Sequence, residues 1–522
     1  MKGRRAASRT VHDQSTQQLT RTCSNIGGGG YLGWRRRFRL GCWRKRRFLT
    51  PGIDDRETGS RPEVAARHEE PGQPGQPGRG RQVVSDAWPK HHAQHKETAE
   101  DQRDPYPDAL RALALLIVVL GHWAATLPRV EGGILVDTDH ILDVWAPAGL
   151  YTWLVQVVPL FVFVSAAVSS QGVQQRLERG RPHLHWWADR ALGLARPTVS
   201  YLAVLTGFAL TALFTRDGVL GPLNHSLTVH LWFLLILLGV QLLLPLCVWA
   251  DRRWGLKAVA GLVLLIAIVD LLRARPTGAA DLLKFGALVT DTHDYFGWVN
   301  IVLVWVLPQQ LGIAWWHSRF FGRRTGLGLL LLGLAWLGLA VAAGYPVSMV
   351  NGNVGGHTNL LPPTLALLGV MWLQVGLVVL LETPVRNFLK RQHMGRWMAV
   401  FGALGLQLYL WHKFAELPAT WLGMRLGWLI DAGLPGEPGF WIGRLEWLGL
   451  CILMVTPVML VVVAFERYRK QDVPHATSTP AILAGGTALL IGLGVSLGLG
   501  AFPGAVIGLV GVALASWLLR AR

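Results

Sequence analysis

From Ala109 onward the chain alternates apolar runs of about 17 to 23 residues with short polar loops. A helix needs about 20 apolar residues to cross the hydrocarbon core of a bilayer, and lipid offers the backbone no hydrogen-bond partner. The pattern therefore predicts an all-α fold, a polytopic transmembrane helical bundle. Only 16% of residues are charged, against roughly 25% in an average soluble domain. That excludes a string of soluble domains. The 24 Trp residues suit helix ends that sit at bilayer interfaces.

Spans are expected near residues 109–127, 146–168, 192–213, 230–249, 257–272, 298–316, 325–343, 361–381, 398–415, 446–465, 481–499 and 503–519. Ten of these form a core and the last two a C-terminal helical hairpin. Loop charge sets the orientation, because Lys and Arg stay on the cytoplasmic side. The first loop holds Glu131, Asp137, Asp139 and Asp143 against Arg129. The second holds Arg176, Arg179, Arg181 and Arg190. Later basic loops carry Arg252, Arg253 and Lys257, then Arg319, Arg323 and Arg324, then Arg386, Lys390, Arg391 and Arg396, then Arg467, Arg469 and Lys470. The loops between them are neutral, uncharged or mixed. The alternation is unbroken and predicts a multi-pass protein of the cell membrane with both termini cytoplasmic.

Residues 1–104 are of another kind. They carry Arg35-Arg36-Arg37-Phe38-Arg39 and Arg44-Lys45-Arg46-Arg47, then a Pro/Gly/Gln stretch from Pro71 to Gly78. No apolar period runs through them, so they cannot bury enough surface to offset their chain entropy. A disordered basic tail is expected, followed by a membrane domain over 105–470 and a helix pair over 471–522. A solvated tail, or residues added by an upstream start, explains the cluster more simply than an anionic-lipid or nucleic-acid contact. No nucleic-acid partner is expected. Cys23 and Cys42 lie in the tail, Cys247 and Cys451 in apolar helices, and none has metal or disulfide spacing.

Ionisable groups within lipid are costly and are functional candidates by default. Arg111 and His122 lie in the first span. Eleven residues at about 100° each make about three turns plus 20°, so both share one helix face, about 16 Å apart along it. A cation at the cytoplasmic mouth with a neutral base deeper in suits a phosphate-bearing donor that threads inward. A structural histidine bonded to a neighbouring helix has the same spacing. His412 follows Leu408-Tyr409-Leu410-Trp411, with Glu416 one turn on. An interfacial aromatic belt with Lys413 reaching to the headgroups is the competing reading there. His230 beside Trp232 opens the fourth span, and Asn359 before Pro362-Pro363 opens the eighth. Four outer helix ends thus carry polar groups to one side. No His/Asp/Glu spacing resembles a zinc site, and no Gly-rich phosphate loop precedes a helix.

Several segments together carry a resemblance. Asp108-Ala109-Leu110-Arg111 through Gly121-His122 resembles the opening of the acyltransferase 3 family, membrane-bound O-acyltransferases whose first helix carries a basic residue, ten residues, then His. Val158-Pro159-Leu160-Phe161-Val162-Phe163-Val164-Ser165, Arg196-Pro197, His230-Leu231-Trp232-Phe233-Leu234 with Pro245, and Leu408-Tyr409-Leu410-Trp411-His412 resemble later segments in the family's order. The likeness covers roughly residues 105 to 470. Ala166 stands where the family usually has Gly, and Arg190 and Arg196 are further apart than its paired arginines.

The resemblance implies transfer of an acyl group, often acetyl, from cytoplasmic acyl-CoA to a hydroxyl of an extracytoplasmic sugar, glycan or metabolite. It implies His122 as catalytic base and Arg111, Arg190 and Arg196 as the donor-phosphate site. His412, Glu416, His230, Trp232 and Asn359 are the expected acceptor-side residues. No permanently bound cofactor and no metal are expected. The partners are acyl-CoA, a sugar or glycan acceptor, and the bilayer. The alternative is a transporter or exporter of a glycan or lipid, with His122 and His412 lining a path. A structural scaffold would need neither histidine.

Overall fold

Asp104 caps the first described helix, its carboxylate accepting the Tyr106 N–H at 3.1 Å, with proline in the first turn behind it. This is a standard helix start, since capping oxygen and proline both suit the unpaired N–H groups there. The computed structural model describes residues 104–215, 223–291, 295–350, 358–392, 394–468 and 478–520. The expected tail, Arg469 and Lys470, and the side chain of Arg396 lie outside the described residues.

In chain order the longer helices are α1 (Pro105–Ala125), α2 (Val158–Glu178), α3 (His183–Thr215), α4 (Trp232–Leu242), α5 (Leu244–Trp254), α6 (Leu256–Ala274) and α7 (Val299–Trp316). They continue as α8 (Arg323–Ala342), α9 (Leu367–Arg391), α10 (Gly395–Trp411), α11 (Glu416–Leu426), α12 (Phe440–Tyr468), α13 (Thr479–Leu499) and α14 (Ala505–Leu518). The chain is an all-α polytopic helical protein, and each of the twelve expected spans is helical over most of its length, the eighth beginning at Leu367 rather than 361. By length and composition eight helices suffice to cross a membrane among the described residues, or nine with the α4–α5 pair, bent by 50°, taken as one span. Two helices fall short and one pair is counted as one, which accounts for the difference from twelve. Helix α6 holds Lys257, Asp270 and Arg273, α10 has 17 residues, and α13 and α14 are counted together as one stretch.

Helix α6 tolerates its charges because they are matched inside the protein. The Asp270 carboxylate accepts from Asn300 Nδ2 at 2.9 Å, Tyr345 Oη at 3.0 Å, the Leu365 N–H at 2.7 Å and Arg273 Nη1 at 3.3 Å. Asp270 and Arg273 are both buried. A buried charge persists only where partners replace its lost hydration. This cluster ties α6 to the start of α7 and to both ends of the α8–α9 connection.

Helices α8 and α9 pack backbone to backbone. A Cβ on Gly326 would stand 2.6 Å from Leu380 N, and one on Gly333 would stand 2.4 Å from Leu373 N. Gly376 meets Gly326 and Gly369 meets Gly333, so the pair is antiparallel. Small residues give the close approach by which helices associate in lipid, where apolar burial between helices has no advantage over lipid tails. Helix α7 lies deep, with 67% of its span buried, whereas α12 buries 17% and presents mostly apolar surface outward.

The first loop is more ordered than its charges suggest. It forms an antiparallel hairpin of β1 (Thr126–Glu131) and β2 (Ile134–His140), with Thr126 opposite His140. Gly132 and Gly133 turn it with φ of +57° and +80°, a conformation two-residue hairpin turns require and glycine supplies. Asp431 holds this hairpin to the loop after α11, accepting from Arg129 Nη1 at 3.1 Å and the Val130 N–H at 2.8 Å.

Helices α13 and α14 fold into a tight antiparallel pair against α3 and α4. The Trp187 ring of α3 rests on the backbone of Gly486. The turn is sealed by Asn224, whose carbonyl accepts the Ala501 N–H at 2.8 Å and whose Oδ1 accepts the Phe502 N–H at 2.9 Å. Truncation after Lys470 strips this cover, so the truncated protein is expected to melt several degrees lower in detergent than the full chain. Identical melting curves would contradict a supporting role for the pair.

Candidate active site

Helices α1 and α10 lie side by side and parallel. Leu115 packs over Gly405, His122 meets His412, and Thr126 meets Glu416. Each pair is separated by 290 residues, so the two helices stay in register along their length. On α1 the stripe Arg111, Leu115, Val119 and His122 follows the helical period. Leu115 and Val119 are buried, while Arg111 and His122 are partly exposed.

His122 occupies the last turn of α1, where Thr126 returns both its N–H and its hydroxyl (3.0 Å) to the His122 carbonyl. His122 Nδ1 lies 2.8 Å from His412 Nε2. The ring centroids are 5.0 Å apart and the planes differ by 18°. Nitrogens that close leave the rings edge to edge rather than face to face. His412 is fully buried. Its Nδ1 lies 2.7 Å from the Tyr409 carbonyl, and its own carbonyl accepts Trp123 Nε1–H at 3.0 Å.

A third histidine completes the cluster. His230, in the short turn before α4, stands edge-on to His412 with centroids 5.5 Å apart and planes at 69°. It is buried, and neither ring nitrogen has a hydrogen-bond partner among the described residues. Tyr409 donates its hydroxyl to the His230 carbonyl. Tyr201 of α3 meets His230 at 5.5 Å and Trp411 at 5.3 Å, both edge-on. The histidines are thus walled by Trp123, Tyr201, Tyr409 and Trp411.

Beyond them, on the side away from Arg111, lies a buried ion pair. Lys413 Nζ donates to both Glu416 carboxylate oxygens at 2.8 Å and to Thr126 Oγ1 at 2.9 Å. All three ammonium hydrogens are thereby used. Arg444 of α12 donates to the Thr126 carbonyl at 2.7 Å, and Trp447 donates to the Trp123 carbonyl at 2.8 Å. At the edge of the site the loss of hydration holds the His140 imidazole below the ordinary histidine range; Asp143 opposes this and the Lys413 ammonium adds to it.

The structure brings together His122, His412, His230 and Glu416 of the expected residues. Glu416 shares the His412 side of the helix but is spent on Lys413. Lys413, expected at the headgroups in the interfacial reading, is turned inward and buried. Its pairing three residues from Glu416 is the signal in the sequence that goes with that direction. Trp232 packs against Trp305, centroids 5.7 Å apart. Asn359 organises its own loop, donating to the carbonyls of Pro346 (2.7 Å) and Ser348 (2.8 Å) and accepting from Thr364 (2.8 Å). Trp232 donates its backbone N–H to the His230 carbonyl, but no ring contact or side-chain hydrogen bond joins Trp232 or Asn359 to the histidines among the described residues.

The arginines lie lower. Arg111 Nη1 is 3.2 Å from Asp108. Arg190 stacks over Trp186 at 4.9 Å and reaches Ser169 of α2 at 3.5 Å. Arg196 is partly buried on α3. Arg111 precedes His122 by eleven residues, and Arg190 precedes Tyr201 by eleven. At a rise of about 1.5 Å per residue both stand about 16 Å from the cluster along their own helices.

An imidazole partly exposed beside a fully paired Lys413–Glu416 ion pair is equipped to accept a proton. No curated protein and no solved structure matches the chain. The acyltransferase 3 family model, described as an acyltransferase domain, matches residues 104–464. That stretch holds α1 to most of α12 and every residue of the histidine cluster, and by this match the chain belongs to the acyltransferase 3 family and is a multi-pass membrane acyltransferase.

Proposed function

We propose that the protein moves an acyl group, acetyl being the simplest, from cytoplasmic acyl-CoA to a hydroxyl of an extracytoplasmic sugar, glycan or secreted metabolite. The observation that carries this reading is the His122 imidazole, held at one nitrogen by His412 and partly exposed. In the proposed step the acceptor oxygen attacks the thioester carbonyl carbon while its proton passes to His122. The C–O bond forms and the C–S bond breaks, with the electron pair leaving on sulfur. The imidazolium then returns its proton to the thiolate, giving CoA thiol and the O-acylated product. A general base placed this way contributes about 10²–10⁴ to the rate.

The bundle sits in the cell membrane with both termini cytoplasmic in this proposal. The unbroken loop-charge alternation supports it, and so does the parallel run of the first and ninth expected spans. Arg111, Arg190 and Arg196 are the proposed seats for the donor phosphates, since guanidinium forks match phosphate oxygens. An extended pantetheine arm bridges a gap of about 16 Å, the distance eleven helical residues impose.

The test is radiolabelled acetyl-CoA supplied to inverted membrane vesicles, with label scored on an extracytoplasmic glycan or metabolite. Arg111→Ala is expected to raise KM for acyl-CoA by about 10- to 100-fold, the weight of a charge-assisted hydrogen bond or two. Arg111→Lys is expected to recover part of that, because charge is kept and the fork lost. A fall in kcat at unchanged KM would remove Arg111 from the donor site.

A further inference from the structure

The proton map of the histidine pair follows from its geometry. A carbonyl oxygen only accepts, so the His412 Nδ1 that lies 2.7 Å from the Tyr409 carbonyl must carry hydrogen. Tyr409 is in the last turn of α10, where backbone carbonyls seek partners outside the helix. Neutral His412 then has only a lone pair at Nε2. His122 Nδ1, 2.8 Å away, must donate to it. Which ring nitrogen of a histidine is protonated is set by the bond the other one makes. His122 is left with its lone pair at Nε2, the nitrogen turned away from the His412 bond.

We infer that His412 is a positioning residue: through its bond to the Tyr409 carbonyl it fixes His122 in the Nδ1–H tautomer and aims the basic Nε2 at the acceptor hydroxyl. This rests on the reading of His122 as the base. The rest of the cluster supports the assignment. His412 is fully buried, so it holds a partner rather than meeting a substrate in solution. Trp123 Nε1–H fastens its carbonyl at 3.0 Å, and the crossed ring of His230 packs it from the side at 69°. The Lys413 ammonium is committed to Glu416 and Thr126 and has no donor left for either ring.

Two measurements test this. In the acyl-transfer assay His412→Leu removes the acceptor for His122 Nδ1–H. It is expected to lower kcat by about 10- to 100-fold with KM for acyl-CoA within about twofold, as loss of one buried hydrogen bond predicts. The loss stays short of the 10⁴-fold drop that accompanies a locked wrong tautomer. His412→Gln returns an amide oxygen and is expected to restore part of kcat. The second measurement is ¹⁵N NMR of histidine-labelled protein in bilayers, with the His122 signals assigned by difference from His122→Asn. Wild type is expected to show His122 Nε2 unprotonated and Nδ1 protonated, and His412→Leu a mixture. If His412→Leu keeps full kcat while His122→Ala is inactive, the positioning role is wrong and the base reading stands. If His122→Ala is itself fully active, the base reading fails. Should His412→Leu not fold, the wild-type spectrum decides alone, and a protonated His122 Nε2 overturns the inference.

Discussion

His122→Ala is expected to lose about 10²–10⁴ of acyl-transfer turnover, the usual contribution of a positioned general base. No neighbour can replace it. His412 and His230 are buried behind it, and the Lys413 ammonium is spent on its carboxylate and Thr126. The substitution also leaves His412 Nε2 without its partner inside the protein, which costs about 1–3 kcal/mol of stability. Turnover must therefore be measured per folded molecule, after size-exclusion and melting checks in detergent. The expected signature is a fall in kcat with acyl-CoA binding intact, because Arg111 and Arg190 stand on other turns. A well-folded His122→Ala protein with full activity would remove the mechanism. A path for an exported glycan or lipid would then be the better account of the pair.

The second large effect concerns folding rather than chemistry. Asp270→Leu removes the acceptor for Asn300, Tyr345, the Leu365 N–H and Arg273 at one stroke. It leaves the Arg273 guanidinium, 1% exposed, as a buried charge with no counter-ion. Breaking a buried pair this way costs about 3–5 kcal/mol. The variant is expected to accumulate poorly and to unfold far earlier than wild type in a thermal series in detergent. The double variant Asp270→Leu with Arg273→Met is expected to recover much of the loss, since removing both charges spares the unpaired one. If the single variant melted like wild type, the cluster would not be what holds α6 in place.

The bundle was legible in the sequence because lipid allows only one period and one length. What the pattern could not supply was the treatment of exceptions. Asp270 and Arg273 make α6 too polar by composition, and only the tertiary contacts with Asn300, Tyr345 and Leu365 show how it is accommodated. The charges of the loop after α1 give no sign of its β-hairpin, although Gly132-Gly133 between two extended runs is a hairpin signal. At the site, His122, His412, His230 and Glu416 could be found because polar residues at helix ends in lipid need a reason. Depth along a helix is readable from rise per residue. Direction around the bundle axis is not. That is why Asn359 and Trp232, at the same end of the bundle, belong to other contacts, and why Lys413 points inward instead of toward headgroups. Tyr409 was visible as a letter in a motif, but its use of a backbone carbonyl leaves no trace in residue type.

The fixed 290-residue offset between α1 and α10 has a consequence for the newborn chain. The ribosome adds about 5–20 residues each second, so His122 is made roughly 15–60 s before its partner exists. During that interval its imidazole has no His412 to hold its proton in place, and the Lys413–Glu416 pair has not been translated. The site is therefore built late, after most of the scaffold around it and with only α11 to α14 still to come. Its appearance reports that a helix made early and a helix made late have found each other at the right height, since a slip of one residue would shift them by about 1.5 Å and part the two nitrogens.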